Sequence, residues 1–325
     1  MSTRRAGGLM VLGLVVVGGS TLAAAQVMVG TGALPAYERV GGIAGNLNSV
    51  GSDTLNNLMT FWAEGFAKLY PSVKIQIEGK GSATAPPALI AGTAQLGPMS
   101  RPMKASEIDA FEKQYGYKPT PIAVAMDALA VYVNKDNPLS HLSLEQTDAI
   151  FSGTRTCGGK TNIANWSQLG LGGEWSHPMS LYGRNSASGT YAYFKDNALC
   201  KGDYKSSVKE QPGSATVVEG IANDRYAIGY SGMGYNTAGV RIVPLSALGS
   251  STVYDATAEN VYAGTYPLSR YLYLYVNKAP GQPMNPLITQ FLLYVLSEDG
   301  QRAVVKDGCV PLVKDIVDVE LKKLE

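Results

Sequence analysis

The stretch "DALAVYVNKDNPL", residues 127–139, returns in altered form as "RYLYLYVNKAPGQ", residues 270–282. Each is an apolar and aromatic run that ends in Val-Asn-Lys and a Pro-bearing turn, the pattern of a buried strand bounded by a turn. Two such strands far apart in one chain suit a two-lobed molecule, one leaving the first lobe and one returning to it. So read, residues 127–268 form one lobe, and residues 46–126 with 269–325 form the other. Hinge closure then falls at the two Val-Asn-Lys crossings, and the cleft between the lobes is the place for a small ligand.

Outward from these strands, short β-like runs alternate with helical segments, which predicts an α/β architecture. "DTLNNLMTFWAEGFAKLYP" (53–71) sets Leu55, Leu58, Met59, Trp62, Phe66 and Leu69 on one helical stripe stopped by Pro71, and "VKIQIEG" (73–79) alternates like a strand. Further helices are expected at 105–116, 143–153, 187–199 and 214–225, and a single long one at 285–305. The chain opens with Arg4 and Arg5, an apolar run and Ala-x-Ala at Ala23–Ala25, which predicts a cleaved secretory signal over residues 1–25 and export from the cytoplasm. Residues 26–45 lack periodicity and read as a linker.

Of 325 residues, 27 are basic and 26 acidic, so loss of the leader with its two arginines leaves a mature chain near −1. That balance argues against nucleic acid or an anionic membrane as partner. Cys157 and Cys200 can close a loop of about 44 residues, worth roughly 4 kcal/mol on the chain-entropy model; two buried free thiols are the alternative, and Cys309 is left over. With His141 and His177 the only histidines and no zinc-spaced Cys/His cluster, no metal or other cofactor is expected.

Four loops share a design: "NSVGSDTL" (48–55), "GKGSATA" (79–85), "GPMSRPM" (97–103) and "GRNSASGTY" (183–191). Each sets Gly and hydroxyl residues at a predicted helix start, where free backbone N–H groups and partial positive charge favour an anion. Taken singly, each is ordinary capping. Arg101 and Arg184 add rigid donor forks suited to a tetrahedral oxyanion. A nucleophilic serine would need a base beside it. "GYSGMG" (229–234) breaks the G-x-S-x-G elbow at Met233, neither histidine neighbours a Ser-Gly loop in sequence, and "GKGSAT" lacks the phosphate-loop pattern.

The four loops together resemble the periplasmic phosphate-binding proteins of ABC uptake systems, over about Asn48 to Leu312. That resemblance implies a type II solute-binding fold, each lobe a mixed sheet flanked by helices and the two joined by crossover strands. It implies phosphate contacts from Thr54 and Leu55 in "GSDTL", Ser82 in "GKGSATA", and Arg184, Ser188, Gly189 and Thr190 in "RNSASGTYAYF". Where the best-known branch has an aspartate that accepts the proton of hydrogen phosphate, this chain reads Ser100-Arg101, and arginine accepts no proton. Asp53 and Asp127 are the candidate replacements, although Asp53 can simply cap its helix and Asp127 simply pair with Arg101. The function so implied is non-catalytic: a monomer that closes on inorganic phosphate and delivers it to an inner-membrane permease or signals its presence. The rival readings are the same fold selecting sulfate or molybdate, and a secreted serine-dependent esterase or phosphatase.

Overall fold

The computed structural model describes residues 34–325, so the expected leader lies outside the described residues. A parallel βαβ unit comes first: β1 (Gly45–Gly51), α1 (Asn56–Leu69) and β2 (Val73–Gly79). The expected stripe is real, since Leu58, Met59, Trp62 and Phe66 of α1 are all buried. Then follow α2 (Ala85–Ile90), β3 (Gly97–Met99), α3 (Ala105–Tyr115) and the long β4 (Thr120–Asn134). The middle of the chain supplies β5 (Leu142–Ser143), α4 (Leu144–Phe151), β6 (Ser180–Arg184), α5 (Gly189–Ala198), β7 (Lys209–Gln211), α6 (Ser214–Ala222), β8 (Ala227–Gly232) and β9 (Val240–Val243). Short β10 (Leu245–Ser246), β11 (Val253–Tyr254) and α7 (Ala258–Tyr262) precede β12 (Ser269–Val276), and α8 (Pro286–Leu296), α9 (Glu298–Lys306) and α10 (Lys314–Lys322) close the chain.

Beside the β1-β2 pair and a small β11-β10-β5 sheet, one mixed sheet of order β3-β12-β4-β8-β6-β7, with β9 also on β4, reaches both halves of the described chain. It does so because β4 spans 15 residues and changes partners midway. Thr120 to Ala128 pair antiparallel with β12, while Leu129 onward pairs with β8 and β9. Two cores lie on either side of that change. One gathers Leu47, Trp62, Phe66 and Val124 with Leu272, Phe291 and Leu312; the other gathers Leu129, Ile150, Phe194, Tyr230 and Leu268.

The Val-Asn-Lys segments are not where the lobes meet. Because β4 and β12 run antiparallel, equivalent ends point opposite ways: Asn134 ends β4 against Val240, and Val276 ends β12 against Thr120. The chain passes from one core to the other instead at the other end of each quoted segment, between Ala125 and Ala128 and between Leu268 and Leu272. Residues 34–40 are also no free linker. Leu34 is buried in the first core, the Tyr37 hydroxyl donates to Gln290 Oε1 at 2.7 Å, and Glu298 N donates to the Pro35 carbonyl. The helix expected over 285–305 is two, because Ser297 turns extended (ψ 170°) and its hydroxyl caps α9 through Gly300 N. Cys157 and Cys200 are disulfide-bonded, and Cys309 is a buried free thiol.

Candidate anion-binding site

The four Gly- and hydroxyl-rich loops meet between the two cores, and their side chains touch. The Thr54 and Thr190 hydroxyls are 2.9 Å apart, joining the start of α1 in the first lobe to the start of α5 in the second. The Ser52 hydroxyl donates to Ser100 Oγ at 3.0 Å, Ser82 Oγ lies 3.3 Å from Ser100 Oγ, and Ser100 N donates to Ser82 Oγ. All of these residues are buried, as are Leu55 and Ser188. Ser188 caps α5, its hydroxyl oxygen accepting from Thr190 N and Tyr191 N.

Two glycines let the loops approach so closely. A Cβ on Gly189 would stand 2.3 Å from Ser82 Oγ and 2.6 Å from Ser100 Oγ, so only glycine admits those hydroxyls to the first turn of α5. Gly81 has φ +107° and faces the Ala187 carbonyl, which accepts from Ala83 N across the cleft. The lobes are therefore in direct contact here, in a closed arrangement.

Arg184 ends β6 with 1% of its surface exposed. Its Nη1 donates to Ser214 Oγ at 2.6 Å and its Nη2 to the Pro212 carbonyl, with Asp53 Oδ1 at 3.1 Å, while Nε–H has no acceptor among the described residues. A buried guanidinium N–H without a partner is costly, and an oxyanion satisfies it. Burial pulls the guanidinium down from its ordinary value and Asp53 pulls it back; arginine stays charged at neutral pH all the same. Asp53 does not cap its own helix. Its Oδ1 accepts from Ser214 N, so the carboxylate caps α6 in the opposite lobe.

Asp127 does not pair with Arg101. It is fully buried and its Oδ2 accepts from Arg270 Nε at 3.0 Å and Nη2 at 2.7 Å, while Oδ1 accepts from Met233 N. Burial pushes this carboxyl up, against the pull of Arg270 and the Met233 N–H. Arg101 instead forks onto both oxygens of Glu107 in α3 at 2.7 Å and also donates to the Pro102 carbonyl. Thus Ser100 enters the cluster of hydroxyls while the terminal nitrogens of Arg101 are engaged outside it. Arg101 Nε, like that of Arg184, is buried without a partner among the described residues.

Sequence reading missed Arg270 and Ser52. Arg270 heads the second of the two repeated strands, and a lone arginine opening an apolar Tyr/Leu strand was the available signal. Neither histidine serves a site serine: His141 is exposed beside Ser140, and His177 is exposed and stacks on Tyr226. Ser231 in "GYSGMG" is buried within β8, its hydroxyl on the Ser214 carbonyl.

Two lobes on a shared sheet, closed around a buried nest of hydroxyls, helix starts and guanidinium groups, define a solute-binding protein of the type II class. A family model described as a PBP superfamily domain matches residues 38–299. The chain is 56% identical over 293 residues to the phosphate-binding protein PstS of Pseudomonas aeruginosa, covering 90% of this chain and 91% of that protein. It is 31% identical over 274 residues to the phosphate-binding protein PstS of Bacillus subtilis, covering 83% and 81%. Among solved structures, a transporter substrate-binding protein with bound phosphate from Clostridium perfringens superposes with a TM-score of 0.69 at 25% identity, over 82% of this chain and all of that one. The chain belongs to the PstS family of phosphate-binding proteins within the PBP superfamily.

Proposed function

We propose that this chain captures inorganic phosphate in the closed cleft, outside the cytoplasm, and hands it unaltered to an ABC permease. The names of the relatives support the ligand and the transport role. The observation that carries the reading is the meeting of the Thr54, Ser82, Ser100 and Thr190 hydroxyls at the first turn of α5, beside a buried Arg184 with an unused Nε–H. Phosphate contacts are assigned to Thr54, Leu55, Ser82, Ser100, Arg184, Ser188, Gly189 and Thr190. Charge-assisted hydrogen bonds contribute about 1.5–3 kcal/mol each, so a few of them reach the ~8 kcal/mol of micromolar binding.

Selection of hydrogen phosphate over sulfate needs a proton acceptor. Both Asp127 oxygens hold donors from Arg270 and Met233, whereas the donors on Asp53 both fall on Oδ1, so the task is assigned to Asp53 through Oδ2. Titration calorimetry with phosphate, sulfate and molybdate at pH 6 and pH 8 tests the proposal. Phosphate is expected to bind micromolar or tighter and to outcompete the other two; no heat with phosphate, or preference for sulfate, overturns it.

A further inference from the structure

We infer that Arg270 is a direct anion-binding residue of this site, carried on the crossing strands and held by Asp127. The inference deepens the phosphate-binding reading above and rests on it.

Arg270 and Asp127 are register partners on β12 and β4, at the place where β4 exchanges its first-lobe partner for second-lobe ones. From there the guanidinium reaches both sides of the cleft. Nη1 donates to the Ser100 carbonyl of the first lobe at 2.9 Å, and Nη2 to Thr190 Oγ1 of the second at 3.0 Å. Asp127 fixes the plane of the fork through Nε and Nη2 and is itself tied to the second lobe by Met233 N. The Tyr193 ring lies 5.4 Å from the guanidinium carbon and its hydroxyl donates to the Ser269 carbonyl, which walls the group off from water.

The donor count points to a ligand. A guanidinium has five N–H donors. Nε uses its one and Nη2 its two on Asp127 and Thr190, while Nη1 uses one of two on Ser100. One Nη1 N–H remains, on a residue 5% exposed and between two residues of the hydroxyl cluster. Thr190 Oγ1 accepts from Arg270 and shares one hydrogen bond with the Thr54 hydroxyl, so one of those two hydroxyl protons is left to be donated. An anion seated there would complete a set of donors from the first lobe, the second lobe and the crossing strand at once. A pair that merely stiffened the sheet would not need the fork turned towards both binding loops.

The test is Arg270→Lys, which keeps the charge and loses the fork, with Arg225→Lys on the surface as control. Phosphate affinity is read by calorimetry, and the phosphate-induced fall in radius of gyration by small-angle X-ray scattering. Arg270→Lys is expected to weaken phosphate 10- to 100-fold and to reduce the compaction even at saturating phosphate, while the control keeps both. A wild-type dissociation constant and wild-type compaction in Arg270→Lys overturn this inference alone; no phosphate binding by the unmodified protein overturns the proposed function with it. Should Arg270→Lys lose its fold by circular dichroism, the assigned side-chain 15N resonances of Arg270 in the unmodified protein decide. They shift on phosphate addition if the guanidinium is a ligand, and unmoved resonances at saturation overturn the inference.

Discussion

Two arginine–aspartate pairs flank the site, and they differ in what they join. Arg184–Asp53 links opposite lobes at 3.1 Å, with Asp53 keeping 21% of its side chain exposed. Arg270–Asp127 links adjacent strands at 2.7 Å with essentially nothing exposed. The first pair can exist only while the cleft is shut, and the second is part of the sheet in any state. One pair therefore reports closure and the other is the frame against which closure happens. Since each arginine brings its own counter-charge, the site gathers donors without gathering net positive charge.

Arg184→Ala should strike hardest, because it removes both the closure pair and the unused donor. We expect phosphate affinity to fall by about 3–5 kcal/mol, two to three orders of magnitude or more, read by calorimetry. A loss below threefold would contradict the site. Asp127→Asn should act on the frame, lowering the unfolding free energy by about 3 kcal/mol, since it strips a buried guanidinium of its counter-ion; urea denaturation without phosphate measures this. Asp53→Asn should leave that unliganded stability within about 0.5 kcal/mol while weakening phosphate and narrowing its advantage over sulfate. If Asp53→Asn and Asp127→Asn instead destabilise equally, the contrast between the pairs is wrong.

Asp307 probes the frame from behind. Burial pushes its carboxyl up to about 7, with a hydrogen bond from Cys309 opposing and the charge of Asp127 adding to the rise. The folded state thus holds a proton that the unfolded chain releases near the ordinary carboxylate value. The stability this contributes is full below about pH 4 and is lost as pH rises through about 7. Urea midpoints between pH 5 and pH 8 should fall less steeply for Asp307→Asn than for the unmodified protein. The smallest effect is expected at Arg101: its fork onto Glu107 lies within the first lobe, so Arg101→Gln should cost about 1 kcal/mol of stability. Phosphate affinity should stay within threefold, and a tenfold loss by calorimetry would return Arg101 to the site through its Nε.

Much of this was legible in the chain because the relevant patterns are local. The stripe of α1, the helix start at Ser188 and the Gly-hydroxyl loops all follow from spacing and capping within a few residues. The repeated strands announced that the chain crosses twice, but the register that sets Arg270 opposite Asp127 depends on antiparallel pairing over 143 residues. No local pattern carries that, so Arg101, nearer in the loops, looked like the partner. Its true partner was also near, since Glu107 sits at the third position of α3 and accepts from Lys104 N at the helix start. Ser297 splits the last long helix because its hydroxyl competes for backbone N–H groups, a weak signal inside so apolar a run.

The unbroken β4 has a mechanical consequence. Lobes strung on loose linkers can twist, slide and splay; lobes that share one hydrogen-bonded strand resemble the two halves of a leaf spring, which flexes about a single line and resists shear. In such a device the loops need not search for each other on closing. A strand that bends without sliding would return them to the same facing positions on every stroke, and the energy that phosphate supplies would go into bending rather than into alignment.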